Sequence, residues 1–205
     1  LDATLVQRTL PAFPSLQRRL GEGIEVADIG CGRGRAVNLM ARAFPRSRFV
    51  GYDISAEAIA AARAEAESWG LGNARFEVRD VATLDVFGRY DLVFAFDAIH
   101  DQARPRRVLR NVARALRPGG DFLMVHTRAD SRPHENHGHP LGVAFFAISC
   151  FHCMSVSLSG GGEGLGTMWG AQKARELLAE AGFARVDARE IEGDIQNTYY
   201  LARLA

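Results

Sequence analysis

With 205 residues, the chain has the length of one domain and can bury a sizeable core. Its 47% hydrophobic and 24% charged residues are ordinary for a globular protein and exclude a disordered or collagen-like chain. A formal net charge of +1 gives no broad basic surface of the kind that attracts nucleic acid. We therefore do not expect a nucleic-acid partner for this domain.

Three cysteines, Cys31, Cys150 and Cys153, are too few and too irregularly spaced for a disulfide framework. This favours a reducing compartment, and we expect a cytoplasmic protein. The sequence shows no signal peptide, and no apolar run is judged to reach the roughly 18 residues of a membrane span, so we expect no membrane partner. Because the chain begins at Leu1 and not at Met, we expect it to be part of a longer protein.

The chain is treated as a single domain, residues 1–205, that starts with a helical segment at 1–24. Alternating and continuous apolar runs predict strands at 25–29, 48–53, 74–79, 90–96, 121–126, 184–190 and 197–203. Helical spacing, with glycine or proline at the ends, predicts helices at 35–44, 56–69, 104–116 and 169–181. This order predicts an α/β fold whose sheet is mostly parallel and ends in an antiparallel hairpin.

The first strand turns directly into a helix through Gly30, Gly32 and Gly34. Such a turn leaves backbone N–H groups pointing out from the carboxyl edge of a sheet, where a polar ligand can bind. The spacing is G-x-G-x-G, whereas a dinucleotide-binding turn has G-x-G-x-x-G. With Asp28 before it, this turn resembles motif I of the class I S-adenosylmethionine-dependent methyltransferases. The resemblance implies a Rossmann-like seven-stranded sheet with helices on both faces.

The same resemblance implies a role for acids at the ends of three successive strands. In the family, the acid at Asp28 holds the amino group of S-adenosylmethionine, and the acid at Asp53 binds both ribose hydroxyls. Asp80 corresponds to the acid that binds the adenine amino group, and Val81 to the residue that lines the adenine ring. Taken singly, each acid could instead cap a helix or a turn. Their position on one sheet edge, beside the glycines, favours a cofactor site.

Two further residues at the same edge, Ile54 after the second strand and Phe96 at the end of the fourth, are expected to contact the cofactor. After the fourth strand, the Ile99-His100-Asp101 stretch resembles that of winged-helix small-molecule O-methyltransferases, whose histidine is the general base. The role maps onto His100, although this chain has Gln102 where the family has Trp. Alternatively, His100 caps the next helix. The amide-and-aromatic motif of base-amino methyltransferases is absent from the sequence.

Residues 127–167 are irregular and polar, and we interpret them as an inserted lid or acceptor-binding segment. His137 and His152 in this segment are alternative bases. Its aromatic residues Phe145, Phe146 and Phe151 are expected on a helix over the acceptor pocket, and the glycine-rich run at 157–166 is expected to act as a hinge. We predict no metal site, because the His and Cys spacings lack the paired knuckles of structural zinc sites.

These observations predict an S-adenosylmethionine-dependent methyltransferase that methylates a small-molecule acceptor, at a hydroxyl oxygen, and releases S-adenosylhomocysteine. Residues 135–170 also resemble a group of bacterial methyltransferases that carry an N-terminal winged-helix domain, which would be absent from this chain. The alternative function is a non-catalytic module that senses S-adenosylmethionine within a winged-helix regulator. The sequence leaves a homodimer open.

Overall fold

The structure is a computed structural model, and it describes residues 4–205. Seven strands form one sheet in the order β3-β2-β1-β4-β5-β7-β6. The strands are β1 Glu25–Ile29, β2 Arg48–Asp53, β3 Ala74–Val78, β4 Tyr90–Phe96, β5 Leu116–Thr127, β6 Phe183–Arg189 and β7 Asn197–Leu204. Neighbours from β3 to β5 are parallel, whereas β7 is antiparallel to both β5 and β6.

The helices are α1 Pro14–Glu22, α2 Arg35–Ala43, α3 Ala56–Ser68, α4 Pro105–Ala115, α5 Gly142–Ile148, α6 Met154–Ser159 and α7 Gly170–Glu180. Short π- or 3-10-helical turns lie at Leu5–Thr9, Leu10–Ala12, Val81–Thr83, Pro133–Asn136 and Ser149–Cys153. The predicted N-terminal segment is therefore helical where it is described, and its first three residues lie outside the described part of the chain.

Alternating side chains of the sheet supply two cores, one on each face. In β1, Val26 packs in the cluster with α1, α2 and α3, whereas its neighbour Ala27 packs in the cluster with α4 and α7. Strands buried on both faces read as continuous apolar runs, which is why β4 could be recognised from the sequence. The predicted fold class, a mostly parallel Rossmann-like sheet with a terminal antiparallel hairpin and helices on both faces, is confirmed.

The strand register brings the candidate residues to one edge. In the parallel ladder Asp28 lies opposite Gly51, Asp53 lies opposite Val78, and Phe96 lies opposite Val125. The carboxyl ends of β1 to β5 therefore face the same side of the molecule, where ligands of open α/β sheets bind.

One predicted boundary is wrong. The fifth strand was expected at 121–126, but β5 already begins at Leu116, which pairs with Tyr90. The pairing register of β4 and β5 shifts between Tyr90 and Leu92, and the Pro-Gly-Gly residues after Arg117 form the irregular part of β5 opposite this shift. The preceding helix, α4, therefore ends at Ala115.

The segment at 127–167 is helical at its centre, which confirms the helix expected at Phe145, Phe146 and Phe151. Its centre, Gly142–Ser159, is one continuous helical run made of α5, a π-helical turn and α6. It contains no Asp, Glu, Lys or Arg and is long and apolar enough to cross a membrane, so the expectation that no apolar run reaches this length was wrong. Length and composition do not by themselves make a membrane helix. The absence of a membrane partner stays a prediction.

Candidate functional site

A cavity of 490 Å³ opens at the carboxyl edge of the sheet, in front of the glycine turn. It is lined by Gly30, Asp53, Ile54, Asp80, Ala82, Ala98, Asp101, Gln102, Ala103, Arg104, Val156 and Gly160. The structure thus brings together candidate residues that follow β1, β2 and β3, and it adds residues from the loop after β4 and from α6. Exposed Ile54 lies at this cavity, as expected for a ligand contact.

The glycine turn needs glycine for two different reasons. Gly30 has a φ of 68°, and a Cβ there would lie 2.6 Å from the Cβ of Ala98, so the close approach of the two loops requires glycine. Gly32 has a φ of 53°, and a Cβ there would meet open space. The third glycine, Gly34, is the left-handed residue from which α2 begins. Bare backbone therefore faces open space at Gly32, where a ligand can lie against it.

Asp53 ties the turn to the end of β2. Its Oδ2 accepts a hydrogen bond from the N–H of Gly32 at 2.8 Å, and its Oδ1 accepts one from the N–H of Ser55 at 2.9 Å. Each carboxylate oxygen has two lone pairs, so both oxygens can still accept a further hydrogen bond. The helix-capping role belongs to Ser55, whose hydroxyl accepts from the N–H of Ala58. Asp53 is therefore not needed as a helix cap and can accept two ligand hydroxyls.

Asp28 is buried at the end of β1, and its Oδ1 has no hydrogen-bond partner within residues 4–205. Burial, followed by repulsion from Asp53, raises the pKa of this carboxyl from its ordinary value of 3.8 to about 8. A buried carboxyl oxygen without a hydrogen-bond partner is costly to a fold. It is the feature that a cationic ligand group, such as an ammonium, would compensate.

The remaining predicted contacts are placed differently. Asp80 lines the cavity while its Oδ1 caps the turn Val81–Thr83 through the N–H of Ala82. Val81 itself is buried in the core, and Ala82 takes the position on the cavity wall. Phe96 stacks on Phe94 with ring centroids 5.3 Å apart and is not among the lining residues. Ligand contacts at Val81 and Phe96 stay predictions.

A second polar cluster lies where β4 and β5 end. The Nδ1 atoms of His100 and His126 are 3.4 Å apart, and both rings are buried. Asp97, whose φ is 50°, places Oδ1 3.8 Å from Nδ1 of His126. A left-handed backbone is uncommon outside glycine and concentrates at functional sites. On the other side of His100, Nε2 lies 3.3 Å from Oδ1 of Asp101.

Burial sets the charge of this cluster. It lowers the pKa of His100, although Asp101 opposes that shift, and it lowers the pKa of His126 well below 6.5, so both rings are neutral at neutral pH. The pKa of Asp97 is raised to about 6 by desolvation and by the nearby charges of Asp101 and Asp194, against a backbone hydrogen bond from Thr127. Asp97 nevertheless keeps half of its side chain exposed.

The three histidines proposed as bases are not equivalent. His100 is buried behind the cavity wall, and Asp101, not His100, lines the cavity. His152 is exposed on the apolar helical run, and His137 is exposed after the turn Pro133–Asn136. The expected aromatic cover is also incomplete, because Phe151 has 87% of its surface exposed. A base role for any of the three histidines stays a prediction.

The glycine-rich run expected to be a hinge is closely packed. The hydroxyl of Ser157 accepts from the N–H of Gly164 and donates to the carbonyl of Gln102, both at 3.1 Å. A Cβ at Gly162 would lie 2.4 Å from Cα of Ala103. These contacts hold the end of the insertion against the loop that lines the cavity.

His126 and Trp169 were not predicted as functional residues, and Cys153 was considered only in a His and Cys spacing that disfavours a zinc site. His126 stacks edge-on against Trp169, with ring centroids 4.8 Å apart, and Cys153 lies close to His100 and Asp101. Of the residues not predicted, only His126 could have been found from the sequence, because it stands near the end of a predicted strand on the same edge.

A second cavity, of 690 Å³, lies beyond β5 and is lined by residues that include Arg128, His139 and Arg175.

Comparisons with known proteins agree with this architecture. A family model described as a methyltransferase domain matches residues 20–182. A trans-aconitate 2-methyltransferase of Variovorax paradoxus is 36% identical over 64% of this chain and 49% of its own length. A fatty-acid O-methyltransferase of Mycolicibacterium smegmatis is 32% identical over 52% of this chain and 38% of its own length. The chain thus spans half or less of the length of these curated relatives.

Among solved structures, an S-adenosylmethionine-dependent methyltransferase from Aquifex aeolicus superimposes with a TM-score of 0.70. The superposition covers 100% of this chain and 94% of the other, at 16% identity, which is evidence for a shared fold. The family model covers most of the chain and includes β1 to β5 with the glycine turn. The chain therefore belongs to the methyltransferase-domain family.

Proposed function

We propose that the domain transfers the methyl group of S-adenosylmethionine to an oxygen of a small-molecule acceptor. The observation that carries the cofactor assignment is the unpaired Oδ1 of buried Asp28, two residues before Gly30. Asp28 is not among the lining residues of the cavity, so an ammonium group reaches Oδ1 only when the adjacent glycine turn shifts, and a carboxylate there would then hold it by a charge-assisted hydrogen bond. Asp53 still has lone pairs for two ribose hydroxyls, and bare backbone faces open space at Gly32.

The cofactor supplies an activated methyl group, so the protein must align the acceptor and remove a proton when the acceptor is a hydroxyl. The residue placed for this is Asp101, which lines the cavity. His100 lies behind it, with Nε2 3.3 Å from Oδ1 of Asp101, and we assign it the positioning of that carboxylate. We therefore propose that His100 is not itself the base and that it assists proton removal by positioning Asp101.

The acceptor side is proposed to lie between the apolar helical run and the end of β5. Val156 of that run lines the cofactor cavity, and Arg128 and Arg175 line the separate 690 Å³ cavity, where Nε of Arg128 lies 3.0 Å from Oε1 of Glu190. Arginine is suited to bind carboxylate groups. Two named relatives, the trans-aconitate and fatty-acid enzymes, act on acids. Acceptors bearing both a hydroxyl and a carboxylate therefore belong in any substrate panel.

A turnover experiment tests the proposal. Purified protein with S-adenosylmethionine is assayed for release of S-adenosylhomocysteine across a panel of hydroxyl acceptors and carboxylic acids. We predict that Asp101→Asn lowers kcat for hydroxyl acceptors by about 10²-fold or more, as expected when a general base is lost. Carboxylic acids are already ionised at neutral pH, so their turnover should change little.

Equal turnover of hydroxyl acceptors by wild type and Asp101→Asn would contradict the base assignment. Release of no product with any acceptor, in protein that binds the cofactor, would favour the sensing alternative, for which we find no specific observation. A cytoplasmic location and the absence of a nucleic-acid partner are proposed on composition alone.

A further inference from the structure

The facing histidines at the ends of β4 and β5 have a geometry beyond what methyl transfer requires. Nδ1 of His100 and Nδ1 of His126 point at each other across 3.4 Å. Two nitrogens of the same kind can face each other only if a proton or a metal ion lies between their lone pairs. Asp97 adds a carboxylate oxygen 3.8 Å from His126 Nδ1, and all three ligand atoms lie within 4.8 Å of one another.

The two nitrogens satisfy the geometry of a weak hydrogen bond, but their separation also fits a shared metal ion. A hydrogen bond donated by N–H is ordinarily about 2.7–3.2 Å long, so 3.4 Å is long for a direct bond. Two ligands at about 2.0–2.1 Å from a tetrahedral zinc ion are separated by about 3.3–3.4 Å. The observed separation of 3.4 Å therefore matches two imidazoles that share one ion.

The surroundings also favour the lone-pair arrangement. Nε2 of His100 lies 3.3 Å from Oδ1 of Asp101, an oxygen that has no hydrogen-bond partner in the described chain, and the nearby negative charge favours the proton on Nε2, which leaves Nδ1 with its lone pair. Metal-binding histidines ordinarily face a carboxylate with their other nitrogen in this way. Nε2 of His126 is buried without a hydrogen-bond partner among residues 4–205 in either arrangement, so it does not distinguish them.

We propose that Asp97, His100 and His126 bind one divalent transition-metal ion, for which zinc is the best fit. Two imidazoles and a carboxylate form a ligand set of catalytic zinc sites, in which a fourth position stays open. Asp97 keeps half of its side chain exposed, so the fourth position can take water or an acceptor oxygen. The binding does not depend on the proposed methyl transfer, and it revises the expectation that the chain has no metal site.

The ligands come from one loop and one strand that are far apart in the sequence, which explains why spacing did not reveal them. Asp97 and His100 follow β4, whereas His126 lies in β5, and the two strands are neighbours in the sheet. A second group, His100, Asp101 and Cys153, would use the opposite nitrogen of His100. His100 cannot present its Nε2 proton to Asp101 and bind an ion through Nε2 at once, so the two groups make different predictions.

The test measures metal binding to the whole chain after treatment with a chelator. Zn²⁺ affinity and stoichiometry are measured by calorimetry, and Co²⁺ is added as a spectroscopic probe of tetrahedral coordination. We expect one ion per chain and a visible Co²⁺ spectrum. His126→Gln and Asp97→Asn should weaken Zn²⁺ affinity by more than the roughly 10–100-fold typical of losing an outer-shell partner. Because the Asp97 side chain is half exposed, Asp97→Asn should fold normally, and its Zn²⁺ affinity tests the proposal even if His126→Gln does not fold.

The matched control is His134→Gln, which removes an exposed histidine outside the cluster and should leave binding unchanged. The proposal is overturned by absence of saturable Zn²⁺ binding to wild type, or by Asp97→Asn and folded His126→Gln binding as tightly as wild type. It is also overturned if Cys153→Ser abolishes binding while His126→Gln retains it, since that result assigns the ion to the neighbouring group.

Discussion

At the scale of single residues, Asp28 combines a structural cost with a ligand-binding role. Its carboxyl group is buried, and Oδ1 lacks a partner in the described chain. Desolvation and Asp53 raise the pKa to about 8, so the native state binds a proton that the unfolded chain releases near its ordinary value of 3.8. Stability from this group is complete at low pH and is lost as pH rises to about 8.

Asp28→Asn removes this titration. We predict that its free energy of unfolding exceeds that of wild type at pH 8.5 and that the difference shrinks towards pH 5, measured by urea denaturation at both pH values. The same variant should bind S-adenosylmethionine more weakly, because a neutral amide does not pair with an ammonium group. A stability difference that does not change with pH would contradict the assigned pKa.

Residues at strand ends were predictable to different degrees. The sequence was sufficient to find Asp28, Asp53 and Asp80, because the ends of successive parallel strands lie at one edge of the sheet irrespective of side-chain packing. Val81 was misplaced relative to the cavity, since both Val81 and Ala82 of the turn Val81–Thr83 are buried in the core and only Ala82 borders the cavity. The cluster of Asp97, His100 and His126 was missed because it needs the β4–β5 register and the side-chain directions.

At the scale of elements, the helical run Gly142–Ser159 differs from the other helices. Its buried residues are Gly142, Ser149, Cys153 and Ser157, which lie on one narrow face, while Val143 and Phe151 are 90% and 87% exposed. The region has an irregular sequence pattern because it lacks the apolar-polar alternation of an amphipathic helix, although a helix was expected at its aromatic residues. The run is anchored through Ser157, so its exposed face is available to an apolar acceptor.

Phe151→Ser tests whether that face serves the core or an acceptor. Because Phe151 is almost fully exposed, we predict a free energy of unfolding within about 0.5 kcal/mol of wild type in urea titrations. KM for apolar acceptors should rise while KM for S-adenosylmethionine is unchanged. Leu109→Ala, at a fully buried position of α4, is the contrasting variant and should cost about 2–5 kcal/mol. A large loss of stability in Phe151→Ser would show that this face packs in the fold.

At the scale of the whole molecule, the sheet topology determines where chemistry can occur. The order β3-β2-β1-β4-β5-β7-β6 places the glycine turn between the acids that follow β2 and the polar cluster that follows β4 and β5. This layout was predictable because alternating strands and helices with short connections permit few topologies. The acceptor pocket was not predictable, since it depends on how residues 127–167 pack, and no local pattern determines that.

The cofactor site is tested most directly by calorimetric titration of S-adenosylmethionine into wild type, Asp53→Ala and the control Asp85→Ala. Asp85 is exposed and lies outside the cavity. Losing hydrogen bonds from two ribose hydroxyls to a carboxylate should weaken binding about 100-fold in Asp53→Ala, with an unchanged circular dichroism spectrum. Asp85→Ala should bind as wild type does. Equal affinity of wild type and Asp53→Ala would contradict the assignment of this sheet edge as the cofactor site.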